Sequence, residues 1–371
     1  MLKSSKKFFK KVYKIIINRF FLIIHNKPRI ISQKLKDNTY KETKIKIEKN
    51  NYSIYQLING RIYTDSNDTT AYITEKNYLS RASMQYYKFD SINSYNGSLS
   101  KNKTLVEGTP KIKKKINGKV LSLLSGGASK DNFTHWFTDV IPRIEIFNRK
   151  YNLKKIDKFY VPSLKYNFQR ESLEILGIKE NKIITSEKYK HICADKIYAT
   201  SHPCFHLPTK VKKWSINFLN KSYSTSNYKN KFNKIFIDRD QLKMIKTDNL
   251  EKYRNLRILL NENEIKNFLI SEGYEIIKPE NYSFKEQVKI FSSTHCVVGL
   301  YGAAMMMIAF CKKNTKVIEI KPISGGNEFL NISKINKLKH RQINLKPIMK
   351  SSIKQNGLLN CPIGKIRKHL I

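Results

Sequence analysis

Hydrophobic and polar positions follow two different rhythms along this chain. From "KIFI" at residue 234 onward, short apolar runs alternate with segments of helical spacing. "KIFI" reads as a strand, and "NENEIKNFLISEG" as a helix with Ile265, Phe268 and Leu269 on one face and Gly273 at its end. "YEIIKP" returns to a strand. Ser283 and Glu286 then have the spacing of a capping box, opening a helix whose Phe284, Val288 and Phe291 share a face. "HCVVG" predicts a strand, "AAMMMIAF" a helix and "KVIEI" a strand. Strands and helices alternating on such short connections predict a parallel, doubly wound sheet.

The first half is less regular. Residues 39–115 carry short Tyr- and Ile-rich runs between Asn, Ser and Gly breaks, the pattern of irregular β structure with loops. In "KIKKKINGKVLSLL", Asn117-Gly118 lies between two strand-like runs and predicts a hairpin. After the polar loop "SGGASKDN", Phe133, Phe137, Val140, Ile141, Ile144 and Phe147 form a helical apolar stripe, which Pro142 should kink or restart. "DKFYVP", "LEILGI" and "ADKIYAT" read as strand, helix and strand. The basic, Asn/Ser-rich stretch 220–233 is the candidate interdomain linker.

At the N-terminus, Phe8, Phe9, Val12, Ile15, Ile16, Phe20 and Ile23 recur at helical spacing between lysines. The stretch is too charged to span a bilayer and lacks a small-residue cleavage site, so it does not read as a secretion signal. Two readings stay open: a basic helix lying on an anionic membrane surface, and a helix docked on the first domain.

Composition changes the picture in one respect. The 371 residues, enough for two domains, hold 71 Lys plus Arg against 29 Asp plus Glu, a formal charge of +42. Lys outnumbers Arg, whereas readout of bases and phosphates favours Arg, and no zinc motif is present; nucleic acid is therefore not the expected partner. A solvated lysine surface accounts for part of the excess, and an anionic bilayer, donor or glycan suits the remainder. The five cysteines are scattered, with no C-x-x-C pair, as fits a reducing compartment.

Candidate chemistry is sparse. Gly299 and Gly302 end a predicted strand, where glycines admit close backbone approach and the next helix offers N–H groups to an anion; the same turn also serves plain packing. The chain lacks G-x-G-x-x-G there, which argues against a nicotinamide cofactor. His135 and Asp139 are four apart, so they share a helix face, either as a proton-accepting pair or as a surface pair. Arg239 follows "KIFI", placed either to neutralise a diphosphate or to pair with Asp238 or Asp240. Asp238-Arg-Asp240 spells D-x-D, but the arginine would compete with a cation, and no metal is expected. "His202-Pro-Cys204-Phe-His206" holds ligand types without a second cluster and reads as a loop.

Taken in order, these pieces resemble glycosyltransferase family 61, the group that includes bacterial capsular-polysaccharide proteins. "NFTHWFTDVIPRI" is similar to its Asn-x-x-His-Trp-x-x-Asp-x-x-Pro-Arg signature, and "IFIDRD" sits where it has Ile-Ser-Arg. "RILLNENEI", "YSFKEQVKIFSSTHCVVGLYGAA" and "KVIEIKP" match its later segments, so that the resemblance covers roughly residues 117–322. Tyr301 stands where the family has His, Met307 where it has Asn, and Asp238 where it has Ser.

The resemblance implies an α/β, GT-B-like fold of two Rossmann-like domains, with the doubly wound sheet in the C-terminal half. Together with the residue pattern, it gives four expected segments: a basic amphipathic region 1–38, an acceptor-side domain 39–225, a nucleotide-sugar-binding domain 226–345 and a tail 346–371. Asp139 becomes the base, with His135 as helper or alternative. Arg239, Arg257, Gly299, Tyr301, Gly302 and Ala303 become donor and diphosphate residues, and Glu286 with Gln287 faces the nucleoside. Asn132, Trp136 and Arg143 take acceptor-side or structural roles. The implied activity is inverting, metal-independent transfer from a nucleotide sugar, without a cofactor, to a glycan or lipid-linked glycan of a cell-surface polysaccharide. The implied place is the cytoplasm, at the inner face of the cell membrane. The alternative is a non-catalytic binding protein on a degenerate transferase scaffold.

Overall fold

The computed structural model describes residues 2–30, 39–64, 69–75, 77–85, 102–124, 130–204, 210–224 and 232–370. The chain divides into two units, Met1–Arg170 with Gly177–Pro208 and Glu171–Leu176 with Thr209–Ile371.

The second unit is built on five parallel strands. In spatial order they are Glu275–Ile277, Lys234–Ile237, Cys296–Leu300, Lys316–Pro322 and Lys339–Leu345. Numbered by sequence, that order is 2-1-3-4-5, a doubly wound arrangement whose switch point falls between Lys234–Ile237 and Cys296–Leu300. These two strands are paired with Ile237 opposite Gly299, so Arg239 and Gly302 leave the sheet side by side. Phe236, Val298, Ile318 and Ile343 fill one face of the core together with Ile265 and Leu269 from the helix Glu262–Ser271. The capping box forms as expected, with the Ser283 side chain accepting from Glu286 N and the Glu286 carboxylate accepting from Ser283 N. "AAMMMIAF" runs as a 3-10 helix, Ala303–Phe310, with its side chains buried from Met305 onward. A helix without a polar face has nowhere else to go. The segment expected as a tail carries the strand Gly357–Leu359, which pairs in parallel with Arg257–Leu259, and the helix Ile363–Leu370. Leu359, Cys361 and Ile366 join the same core.

The first unit centres on the ten-residue strand His191–Thr200. It runs antiparallel to Asn50–Ile58 and Arg61–Tyr63 and parallel to Lys114–Ser122. Beyond Lys114–Ser122, the strands Lys158–Val161 and Ile183–Thr185 extend the parallel side. The residues 133–148 therefore cross over between two adjacent parallel strands, which puts their start at the carboxyl ends of those strands.

The expected hairpin at Asn117-Gly118 does not form. Lys114–Ser122 is one strand, and Gly118 (φ 87°) lies where the pairing with His191–Thr200 shifts register between Ala194 and Lys196. Asp195 Oδ2 accepts the Gly118 N–H at 2.6 Å, and Asp157 Oδ2 accepts the Lys119 N–H at 2.7 Å. The left-handed glycine makes a bulge instead of a turn because both flanking runs find the same neighbouring strand. Most of the loop "SGGASKDN" and most of the linker candidate after Ser224 lie outside the described residues, while Asn220–Tyr223 closes the helix Lys213–Tyr223.

Candidate active site

Two polar clusters lie at strand ends, one in each unit. In the first unit, Asn132 caps the helical turn Phe133–His135, its side chain accepting the His135 N–H at 3.2 Å. The following turn, Trp136–Val140, is π-helical, with Ile141 N–H donating to Trp136 O at 3.0 Å. Pro142, which has no N–H to continue the ladder, restarts an α-helix at its first position. Trp136 is buried in this turn and packs edge-on to Phe168.

This backbone puts His135 Nδ1 2.7 Å from Asp139 Oδ2. The Thr138 hydroxyl donates to Oδ1 of the same carboxylate at 2.7 Å, and His202 Nε2 lies 3.7 Å from Oδ2. Asp139 is 1% exposed, whereas the His135 ring is 29% exposed. Burial pushes the Asp139 pKa up. The charges of His135 and His202 and the hydrogen bond from His135 outweigh that and hold it well below the usual carboxylate range. Arg143, fully buried, donates from Nε to Asp139 O at 2.9 Å and from NH1 to Thr200 O at 2.7 Å. It thereby pins the π turn to the end of the central strand.

Asp139, His202 and Cys204 offer ligand atoms within 4.8 Å of one another, so they invite a metal reading. The chemistry of His202 does not fit one. The Cys204 backbone N–H donates to its Nδ1 at 3.1 Å, which leaves the ring proton on Nε2, the atom facing Asp139. A cation there would require Nε2 to give up that proton and Nδ1 to face an N–H with one of its own.

In the second unit, Arg239 NH1 and Arg257 NH1 both donate to the carbonyl of Tyr301, at 3.1 and 2.8 Å. The Arg257 guanidinium also lies over the Tyr301 ring, 4.5 Å from its centre. Burial and the neighbouring Arg257 pull Arg239 down to about 10. Burial lowers Arg257 as well, against the pull of Tyr301, Glu328 and Glu319. The Tyr301 hydroxyl donates to Glu328 Oε1 and accepts the Gly326 N–H at 3.2 Å. Lys321, buried at the end of its strand, binds the Gly326 carbonyl and sits 5.7 Å from the Tyr301 ring. A Cβ on Gly302 would lie 2.5 Å from Arg239 NH1, so the missing side chain is the space that the guanidinium occupies. Ala303 opens the 3-10 helix beyond it, and Gly299 is packed under Met305 Sδ.

The remaining candidates have local duties. Glu286 closes the capping box, and Gln287 Nε2 donates to Pro279 O and Tyr282 O at 2.8 and 3.0 Å. Met307 is fully buried in the apolar core. The D-x-D carboxylates hold lysines: Asp238 pairs with Lys266 at 2.9 Å, and Asp240 with Lys243 and Lys278 at 2.7 and 3.0 Å. Sequence reasoning read His202 as part of a loop and passed over Lys321 and Glu328. For His202 and Lys321 the missed signal was position, since each follows or ends a strand at its carboxyl edge.

Comparison with known proteins gives the class: residues 133–318, half of the chain, match a glycosyltransferase domain. The family is Glycosyltransferase 61, and the chain belongs to it. No curated protein matches the chain.

Proposed function

We propose that the protein transfers a sugar from a nucleotide-sugar donor to a hydroxyl of a growing cell-surface polysaccharide, capsular or related, with inversion and without a metal. The carrying observation is the convergence of Arg239 and Arg257 on one neutral carbonyl at the switch point of the second unit. Two desolvated guanidiniums side by side cost free energy that a bound diphosphate would offset. In the proposed step the acceptor hydroxyl gives its proton to His135 Nε2 while its oxygen attacks the anomeric carbon. The bond from that carbon to the diphosphate oxygen breaks, and its electron pair stays on the nucleoside diphosphate, whose charge the two arginines neutralise.

Burial and protonation state favour exchanging the roles that the resemblance implies. Asp139 is enclosed and strongly stabilised as an anion, hence a weak base, whereas its contact with Nδ1 orients His135 and stabilises the imidazolium. Asp139 is then a positioning residue. The lysine pairs at Asp238 and Asp240 support a metal-independent reaction. The reading places the reaction on the cytoplasmic side, which the five free thiols support.

The test is a panel of nucleotide sugars with release of nucleoside diphosphate as the readout. Release by the wild type, lost in His135→Ala with donor binding retained, supports the proposal. Binding without release from every donor supports the non-catalytic alternative, and release unchanged in His135→Ala refutes the assignment.

A further inference from the structure

The N-terminal helix Leu2–His25 turns its apolar side outward. Phe9, Tyr13, Ile16, Phe20 and Ile23 are spaced four, three, four and three residues apart, which is one continuous stripe on a helix. All five are exposed, Phe9 at 69% and Ile23 at 80%, and Phe8, Ile15 and Ile24 widen the same face. Of the half-buried positions, Ile17, Asn18, Phe21, Leu22 and His25 lie on the opposite side, and Val12 borders the stripe.

That opposite side is where the helix meets its own unit. Leu22 fills the space beside Gly108, where a Cβ would come within 2.6 Å of it, and Lys14 reaches Glu107 at 3.2 Å. At the last turn, His25 Nε2 lies 3.2 Å from Lys111 O, Arg61 NH2 donates to His25 O at 3.1 Å, and the His25 ring meets His191 edge-on at 4.8 Å. Asn26, left-handed at φ 56°, ends the helix there. The helix is therefore clamped at one end, with its apolar stripe pointing away from the clamp.

We infer that this stripe is a docking surface for an anionic lipid bilayer, on which the helix lies in the plane of the headgroups. Charge selects this occupant. The helix sequence holds six lysines and one arginine and no acidic residue, in a chain of net charge +42. A second copy would bring together two chains of the same high positive charge, whereas anionic headgroups meet opposite charge. No helix among the described residues is long and apolar enough to cross a membrane, so the helix is suited to lying on the surface.

The full-length chain is tested by co-sedimentation with phosphatidylcholine vesicles, with and without phosphatidylglycerol. The wild type is expected to partition about 10-fold or more in favour of the phosphatidylglycerol vesicles, less so at high salt. Replacing Phe9, Ile16, Phe20 and Ile23 together by Ser is expected to lower binding on the order of 100-fold. Because those side chains are exposed, the thermal midpoint should not move, which separates lost docking from lost folding. A Phe20→Trp variant should show blue-shifted emission on the anionic vesicles only. Wild-type binding by the four-Ser variant overturns the inference, as does equal binding to both vesicle types. Concentration-dependent dimerisation that the four-Ser variant abolishes, without vesicle binding, overturns it in favour of a second copy. None of these readouts involves sugar transfer, so their failure leaves the proposed function standing.

Discussion

The two polar clusters solve opposite electrostatic problems. In the first unit a buried carboxylate is surrounded by donors matched to it: His135 and Thr138 in contact and His202 just beyond. In the second unit two arginines and Lys321 gather around a tyrosine carbonyl and ring, with Glu328 and Glu319 acting on Arg257 and Glu262 and Glu280 on Arg239. The first cluster holds its carboxylate between His135 and Thr138 and presents one partly exposed ring. The other sets two desolvated guanidiniums side by side on one neutral carbonyl, an arrangement whose natural complement is an anionic ligand. A proton-handling group benefits from a satisfied surround that fixes its tautomer, and a ligand-binding group from leaving some of its charge to the ligand.

His135→Ala breaks the comparison hardest. It should reduce donor turnover about 10²–10⁴-fold, with nucleotide affinity unchanged by calorimetry. Arg239→Ala and Arg257→Ala should do the converse, each weakening nucleoside diphosphate binding by about 1.5–3 kcal/mol. Gly302→Ala sharpens that result. It leaves both arginines in the sequence but puts a methyl group where Arg239 NH1 lies, and should reproduce much of the Arg239→Ala loss.

Asp139→Asn probes the carboxylate side through stability. The folded-state pKa of Asp139 is depressed, so its contribution is present above the unfolded value of about 4 and is lost as pH falls below it. Wild-type thermal midpoints should therefore fall more steeply than those of Asp139→Asn on acidification below about pH 4. At neutral pH the variant should be less stable by about 1–3 kcal/mol. Tyr301→Phe should have the smallest effect, about 1 kcal/mol in stability, because the backbone carbonyl and the ring beneath Arg257 remain.

The sequence made the second unit legible because its strands are buried on both faces and its helices on one, which leaves a clear periodicity from "KIFI" to "KVIEI". The capping box at Ser283 and the restart at Pro142 were readable for the same local reason. Gly118 was misread because a left-handed glycine serves a bulge as well as a hairpin, and only the partner strand decides. The His135–Asp139 contact followed from helical spacing. Its third member, His202, is 63 positions further along the chain than Asp139 and becomes a neighbour only through the pairing of His191–Thr200 with Lys114–Ser122. The destination of Arg239 was likewise hidden. Sequence offered a diphosphate or the neighbouring Asp238 and Asp240 as its partners, and lysines take both carboxylates.

The π turn at Trp136–Val140 has a consequence for how this segment tolerates change. One residue of an α-helix subtends about 100°. Deleting a single position between His135 and Asp139 would turn these two side chains apart by about that angle and break their 2.7 Å contact. The segment should therefore accept many conservative exchanges of side chain while rejecting any change in its length. In this stretch the spacing of the backbone is itself a functional element, as surely as the ring it carries.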